Sequence, residues 1–170
     1  MSERIYYIRE TVSGKYLTVP NSSSTNGTAV QLKAFTGSSS QKWKVVDMGG
    51  GYFSFLPMHN TGLALDVHNG SDADGTKVEI YTRNNKDAQK FKLLAQWRGD
   101  YQIAAKCSKD KRVLTNAANT TSEGALITTW APTTDRNGTL NLQTCLPSPM
   151  NRRMEVSLPS VQDTADSIWM

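Results

Sequence analysis

The sequence predicts an all-β fold built from three copies of one four-stranded unit. Short runs rich in Val, Ile, Tyr, Phe and Thr alternate with clusters of Gly, Ser, Asn and Asp, a pattern typical of short strands joined by turns. The same motifs return after forty-eight and then forty-nine residues, from Leu17 to Leu65 and from Leu65 to Leu114. No long amphipathic helical pattern precedes residue 147. A fixed period of this length indicates a repeated supersecondary unit that cannot bury its apolar face alone.

Each copy shows the same four elements in the same order. An opening strand covers residues 6–9, 52–56 or 101–105, and a second strand is centred on the repeated Leu. A Gly at position 27, 75 or 124 then opens the third strand, and we expect it to supply a positive φ at the end of the preceding loop. The fourth strand carries Trp43, Phe91 or Leu140, which we expect to form a common core. The prediction is therefore twelve strands in all.

The repeat pattern ends at Leu146. We predict one domain over residues 1–146, with repeats at about 5–48, 49–97 and 98–146, followed by a C-terminal extension over 147–170. The extension contains three prolines and has no repeat character. It could be a flexible terminus, a packing arm or the start of a further domain, and it is a candidate contact for a homodimer.

Composition argues against several kinds of partner. The net charge is +4, yet the basic residues are scattered among acids rather than gathered into a stripe, so we expect no nucleic-acid partner. No apolar run is long enough for a membrane span, so we expect no membrane insertion. The start of the chain shows no secretory leader, which fits a cytoplasmic or non-classically secreted protein, although a leader already removed would leave the same sequence.

The sequence offers little catalytic or metal-binding chemistry. His59 and His68 are its two histidines, and neither stands in a recognisable nucleophile–base pattern. Cys107 and Cys145 lack metal-ligand spacing; they could pair or remain as two buried thiols. We therefore expect no cofactor, no metal and no enzymatic activity.

The second repeat carries the fullest set of motifs. It reads Gly62-Leu63-Ala64-Leu65-Asp66-Val67, then Gly75-Thr76-Lys77-Val78-Glu79-Ile80-Tyr81, then Gln89-Lys90-Phe91. With the first repeat's Gln41-Lys42-Trp43, this string resembles the ricin-B-type β-trefoil lectins over about residues 5–146. The resemblance implies a β-trefoil with pseudo-threefold symmetry that binds glycans of the galactose or N-acetylgalactosamine type on glycoproteins or glycolipids. Such a lectin or agglutinin could act alone or as the targeting module of a toxin or hydrolase.

A shallow sugar site needs a carboxylate for vicinal hydroxyls, a flat aromatic ring for the apolar sugar face, and amides that select among hydroxyls. The three repeats can be compared at these positions. The carboxylate position holds Thr18, Asp66 and Thr115; the aromatic position holds Lys33, Tyr81 and Trp130; the closing position holds Gln41, Gln89 and Gly138. The second repeat alone has all three groups, so we predict one principal site there.

The predicted site centres on Asp66 and Tyr81. Glu79 lies two residues before Tyr81 on the same strand face, and Gln89 either supports the loop or contacts ligand. Ala88 stands where the family often has an Asn, so the amide contact would come from Asn84 or Asn85, or be absent, and galactose specificity does not follow automatically. Two further residues complete the set: His68, which could reach a second sugar unit, and Trp130, a weaker candidate in the third repeat.

A second kind of function fits the same fold. The chain could be a β-trefoil protein-interaction module, such as a loop-borne protease inhibitor, whose sugar sites have degenerated. Asp66 and Tyr81 discriminate between the two, because an inhibitor would not depend on them.

Overall fold

The computed structural model describes residues 4–96, 98–132 and 139–144, the last of these by backbone alone. Thirteen strands, all paired antiparallel, are found in these ranges. They are β1 (Ile5–Glu10), β2 (Tyr16–Thr18), β3 (Thr28–Ala29), β4 (Gln31–Lys33), β5 (Lys42–Gly49), β6 (Tyr52–Pro57), β7 (Leu63–Val67), β8 (Thr76–Thr82), β9 (Phe91–Ala95), β10 (Tyr101–Ala105), β11 (Val113–Asn116), β12 (Ala125–Trp130) and β13 (Thr139–Thr144). Short 3-10 turns lie at Pro20–Ser22, Ser39–Gln41, His68–Gly70, Asp87–Gln89 and Lys106–Ser108.

Six of the strands close into a barrel. Following the pairings from β1 to β5, β6, β9, β10 and β13 returns to β1. Each repeat contributes its first and last strand to this ring, and closure leaves no unpaired edge in it. Six of the seven remaining strands form three hairpins that cap the barrel: β2 with β4, β7 with β8, and β11 with β12. The seventh, β3, pairs with β8. The chain is a β-trefoil, as the repeat pattern predicts.

The pseudo-threefold symmetry is visible in three glycines. Gly27, Gly75 and Gly124 have φ values of +87°, +76° and +82°, which confirms the expected left-handed backbone. The amide of Gly27 donates to the carbonyl of Ile80 over 2.9 Å, and each of the other two makes the equivalent bond to the hairpin of the following repeat. The three repeats are therefore joined around the axis by one repeated backbone contact.

The structure has one strand more than the twelve predicted, and a change of partner at Val30 explains it. Before Val30 the chain pairs with β8, and after it the chain pairs with β2 and β12. The amide of Val30 itself donates to the carbonyl of Val78 over 3.1 Å. The third strand of the first repeat is thus a single element that bends between two sheets, counted here as β3 and β4.

The core lies beneath the three hairpins. The closing-motif aromatics Trp43 and Phe91 are fully buried, which confirms their predicted place, and the indole of Trp43 donates to the carbonyl of Leu17 over 3.1 Å. Leu140 lies in β13, and its side chain falls outside the described part. Aliphatic residues at repeated positions fill the space around these rings, among them Leu17, Leu65, Leu114, Ile80 and Ile127.

Several predictions fall on residues beyond the described ranges. The C-terminal extension over 147–170, its place in a homodimer, Gly138 and a pairing between Cys107 and Cys145 all belong to this group. Within the described ranges, no helix is long and apolar enough to cross a membrane.

Candidate functional site

Asp66 and Glu79 face each other across the second hairpin. Asp66 lies near the end of β7, and its register partner on β8 is Glu79. Residues directly opposite in an antiparallel pair share one face of the sheet, so both carboxylates lie on the same side. Asp66 is 6% exposed and Glu79 is 2% exposed. Two acidic side chains are therefore brought together in a largely buried position.

Gln89 fixes one oxygen of Asp66. Its Nε2 donates to Oδ2 of Asp66 over 2.9 Å and to the carbonyl oxygen of Thr82 over 3.0 Å. Its Oε1 accepts from the backbone amide of Asn84 over 2.9 Å. The side chain is 1% exposed, so it lies beneath the site and supports both the carboxylate and the loop after β8.

The first repeat shows the same arrangement without the carboxylate. Nε2 of Gln41 donates to the hydroxyl of Thr18 over 3.0 Å and to the carbonyl of Ala34 over 2.9 Å, and its Oε1 accepts from the amide of Thr36 over 2.8 Å. The closing glutamine therefore supports its loop whether or not a carboxylate is present.

The other oxygen of Asp66 is available to a ligand. Among the described residues none donates a hydrogen bond to Oδ1, and Asp66 lines a cleft of about 490 Å³. Tyr81 lines the same cleft and is 42% exposed. An oriented carboxylate beside an exposed aromatic ring can accept from hydroxyl groups while the ring covers an apolar face.

The environment of Asp66 disfavours its charged form. Burial raises the pKa of Asp66 to about 6, and the negative charge of Glu79 contributes to the rise. The hydrogen bond from Gln89 and the nearby His68 lower the pKa, but by less than burial raises it. The carboxylate is therefore ionised at neutral pH but accepts a proton under mildly acidic conditions.

Glu79 is engaged by two basic side chains. Lys77 Nζ lies 2.7 Å from Oε2 of Glu79 and also donates to the carbonyl of Gly27 over 2.9 Å. His68 Nδ1 lies 3.0 Å from Oε1 of Glu79, and His68 Nε2 lies 3.1 Å from the side-chain nitrogen Nδ2 of Asn69. Glu79 lines the cleft, whereas His68 contacts Glu79 but is not among the lining residues.

The loop after β8 distinguishes between the two candidate amides. Asn84 is exposed and lines the cleft, and its Oδ1 accepts from the amide of Lys86 over 2.9 Å. Asn85 has a φ of +59° at the turn and is not among the lining residues. The geometry therefore brings Asn84, rather than Asn85, to the site.

The cleft has further lining residues outside the predicted set of site residues. They are Gly70, Lys86, Asp87 and Cys107, together with Asn69 and Ala88. Cys107 comes from the opening of the third repeat, so the far wall belongs to the neighbouring unit. Asp87 is held there by Lys106, with Nζ and Oδ1 3.0 Å apart. No motif in the sequence indicates Cys107, because it reaches the cleft only where two repeats meet.

In the described part of the chain, the positions that correspond to Asp66 in the other repeats hold Thr18 and Thr115, which carry no carboxylate. Trp130 is 46% exposed in the third repeat, and its indole donates to the hydroxyl of Thr128 over 3.1 Å. The carboxylate position of the third repeat holds Thr115, whose hydroxyl donates to the carbonyl of Thr128. Trp130 is not among the residues that line the Asp66 cleft. In the part of the chain that the structure describes, no group of three or more potential metal ligands is found.

Comparisons with known proteins agree with this fold. The model of the ricin-type beta-trefoil lectin domain-like family matches residues 1–81 and 56–130. The chain belongs to this family. Carbohydrate binding is therefore the general activity that its fold and family support. A search of curated protein sequences found no match.

Solved structures give the same fold. The designed threefold-symmetric protein ThreeFoil is 32% identical, with a TM-score of 0.77, over 82% of this chain and 97% of that one. The exo-β-1,3-galactanase 1,3Gal43A from Clostridium thermocellum is 29% identical, with a TM-score of 0.78, over 83% of this chain and 30% of that one. The ricin B-like lectin of Macrolepiota procera, in complex with lactose, is 14% identical, with a TM-score of 0.71, over 85% of this chain and 97% of that one.

Proposed function

We propose that this lectin-family chain binds glycans of the galactose or N-acetylgalactosamine type through the cleft of the second repeat. The observation that carries the proposal is the state of Asp66, with Oδ2 held by Gln89 and Oδ1 free of described donors beside the exposed ring of Tyr81. A sugar that stands against Tyr81 would present vicinal hydroxyls to Oδ1. Asn84 would supply the amide that discriminates among hydroxyl orientations.

The comparisons support galactose-containing ligands. The Clostridium thermocellum enzyme is a β-1,3-galactanase, and the Macrolepiota procera lectin was solved with lactose, a galactose disaccharide. The cleft of about 490 Å³ has room for more than one sugar unit. Asn69, Lys86 and Asp87 would then face the second unit, since they line the cleft beyond the Asp66 and Tyr81 pair.

The proposed role is binding rather than catalysis. Asp66 and Glu79 lie side by side on one sheet face, and Glu79 is already engaged by Lys77 and His68. We propose glycoprotein or glycolipid glycans as the partners, with residues 1–146 as the binding domain. A homodimer through residues 147–170 would add avidity to a single weak site.

Calorimetric titration with lactose tests the proposal. Asp66→Asn keeps the size of the side chain but removes its charge, and we expect it to weaken binding by roughly tenfold or more. Tyr81→Ala should have a comparable effect, because it removes the exposed ring. Asp72→Asn is the matched control, since it removes one carboxylate from an exposed loop of the same repeat.

Two results would contradict the proposal. One is the absence of any lactose or N-acetylgalactosamine binding by the unmodified chain. The other is unchanged binding in both Asp66→Asn and Tyr81→Ala. Inhibition of a protease by the chain, unaffected by these two substitutions, would instead favour the protein-interaction module.

A further inference from the structure

The first repeat carries an exposed aromatic cluster on its outer face. The ring centroid of Phe35 lies 5.0 Å from that of Tyr7 and 5.1 Å from that of Tyr16, and the two tyrosine rings are 6.1 Å apart. Phe35 is 57% exposed, a larger fraction than that of any other large exposed apolar side chain in the described part. The two tyrosines beneath it are half-buried and hold it in place.

Three cationic side chains surround this cluster. Lys42 is the register partner of Tyr7, and Arg9 and Lys33 are the register partners of Tyr16 on its two sides. Direct cross-strand partners lie on one face of a sheet, so the cations and the rings share the outer face. We call the six residues Tyr7, Arg9, Tyr16, Lys33, Phe35 and Lys42 the aromatic–basic patch.

No described acidic side chain neutralises the charge of the aromatic–basic patch. Within the described ranges, the side chains of Arg9, Lys33 and Lys42 make no hydrogen bond or ion pair. The two neighbouring acids are used elsewhere. Glu10 is 1% exposed and accepts from the backbone amides after β1, and Glu123 pairs with Lys15 and accepts from the amide of residue 34. An anionic ligand would therefore meet three free cations beside an exposed ring.

We propose that the aromatic–basic patch is a second ligand site and that its ligand is an anionic glycan. Phe35 would cover the apolar face of one sugar ring, while Lys33, Lys42 and Arg9 would pair with sulfate or carboxylate groups. A single exposed ring suits one sugar unit. It suits a nucleic-acid strand less well, because strand binding uses successive stacking platforms along a groove.

The aromatic–basic patch is chemically distinct from the Asp66 cleft. At the positions that carry Asp66 and Tyr81 in the second repeat, the first repeat has Thr18 and Lys33. The carboxylate is thus absent, and a cation replaces the aromatic platform. Two sites of different chemistry on one scaffold would let the chain bind, with avidity, a surface that displays neutral and acidic sugars together.

Titration with chondroitin sulfate oligosaccharides tests this proposal, using the full chain and the Asp66→Asn variant. We expect both to bind, because the patch does not involve Asp66. Phe35→Ala should weaken binding by about fivefold. Lys33→Gln combined with Lys42→Gln should weaken it by about tenfold and reduce its dependence on salt. Lys111→Gln and Leu126→Ala, which change an exposed charge and an exposed apolar residue in the third repeat, should have little effect.

Several results would overturn the proposal. The unmodified chain could fail to bind the oligosaccharide, or the patch variants could bind it as well as the parent. Loss of binding in Asp66→Asn would assign the ligand to the second-repeat cleft. Equal, patch-dependent binding of an oligonucleotide of matched charge, or of phosphatidylserine vesicles, would show a general polyanion surface. Dissociation of a dimer by Phe35→Ala, without oligosaccharide binding, would show an interface between two copies.

Discussion

Gln89 donates a hydrogen bond to the carboxylate of Asp66, with Nε2 and Oδ2 2.9 Å apart. Gln41 makes the matching contact to the hydroxyl of Thr18 over 3.0 Å in a repeat that lacks the carboxylate. The closing glutamine therefore belongs to the architecture of every repeat that retains it. Under the proposed function, we expect the capacity to bind a sugar to depend on the side chain that this glutamine contacts.

This relationship gives a matched pair of substitutions. Gln89→Ala and Gln41→Ala should each lower the free energy of unfolding by about 2 kcal/mol, because each leaves buried polar groups without partners. Gln89→Ala should also weaken lactose binding, since Asp66 loses its fixed orientation. Urea unfolding and calorimetric titration measure the two effects. Equal loss of lactose binding in Gln41→Ala would show that the effect is global rather than local.

The ionised side chain of Asp66 should lower the free energy of unfolding at neutral pH. Because the pKa of Asp66 is raised to about 6 in the folded chain, its charged form is disfavoured, and the penalty grows as the pH rises from about 4 through 6. Asp66→Asn should therefore raise the free energy of unfolding by about 1–3 kcal/mol at pH 7 and by little at pH 4. Urea unfolding at both pH values measures this. A gain of equal size at both would be inconsistent with the raised pKa.

Lactose binding should weaken as the pH falls through 6. A protonated Asp66 accepts hydroxyl hydrogen bonds less well, and about one tenth of the side chains remain ionised one unit below the pKa. We therefore expect affinity at pH 5 to be about tenfold lower than at pH 7. Titration across this range measures it, with the thermal unfolding midpoint recorded at each pH as a control for folding. Constant affinity over the range would contradict the prediction.

The neighbours of Asp66 should move that pH midpoint in opposite directions. The charge of Glu79 raises the pKa of Asp66, and His68 lowers it. Glu79→Gln should therefore shift the midpoint of lactose binding to lower pH, and His68→Asn should shift it to higher pH. The same titration series measures both. Shifts in the same direction would indicate that the substitutions act through packing rather than charge.

The sequence predicted the scaffold well because the scaffold depends on short-range patterns. The positive φ of Gly75 and the burial of Trp43 and Phe91 follow from local turn chemistry and from apolar residues at repeated positions. The extra strand could not be foreseen, because Val30 changes partner only when three repeats meet.

The candidate site was only partly predictable for the same reason. Asp66 and Tyr81 are predictable because the second repeat alone combines a carboxylate, an aromatic ring and the closing glutamine. The contact of Lys77 with the carbonyl of Gly27, and the presence of Cys107 in the far wall, arise where neighbouring repeats meet. The distinction between Asn84 and Asn85 depends on the left-handed backbone of Asn85, which composition alone does not specify.

A crystal structure of the chain soaked with lactose tests the central claim most directly. We expect one galactose ring in the second-repeat cleft, stacked on Tyr81 and with hydroxyls within hydrogen-bond distance of Oδ1 of Asp66. Lactose bound against Trp130 or the first repeat, with the Asp66 cleft empty, would contradict it.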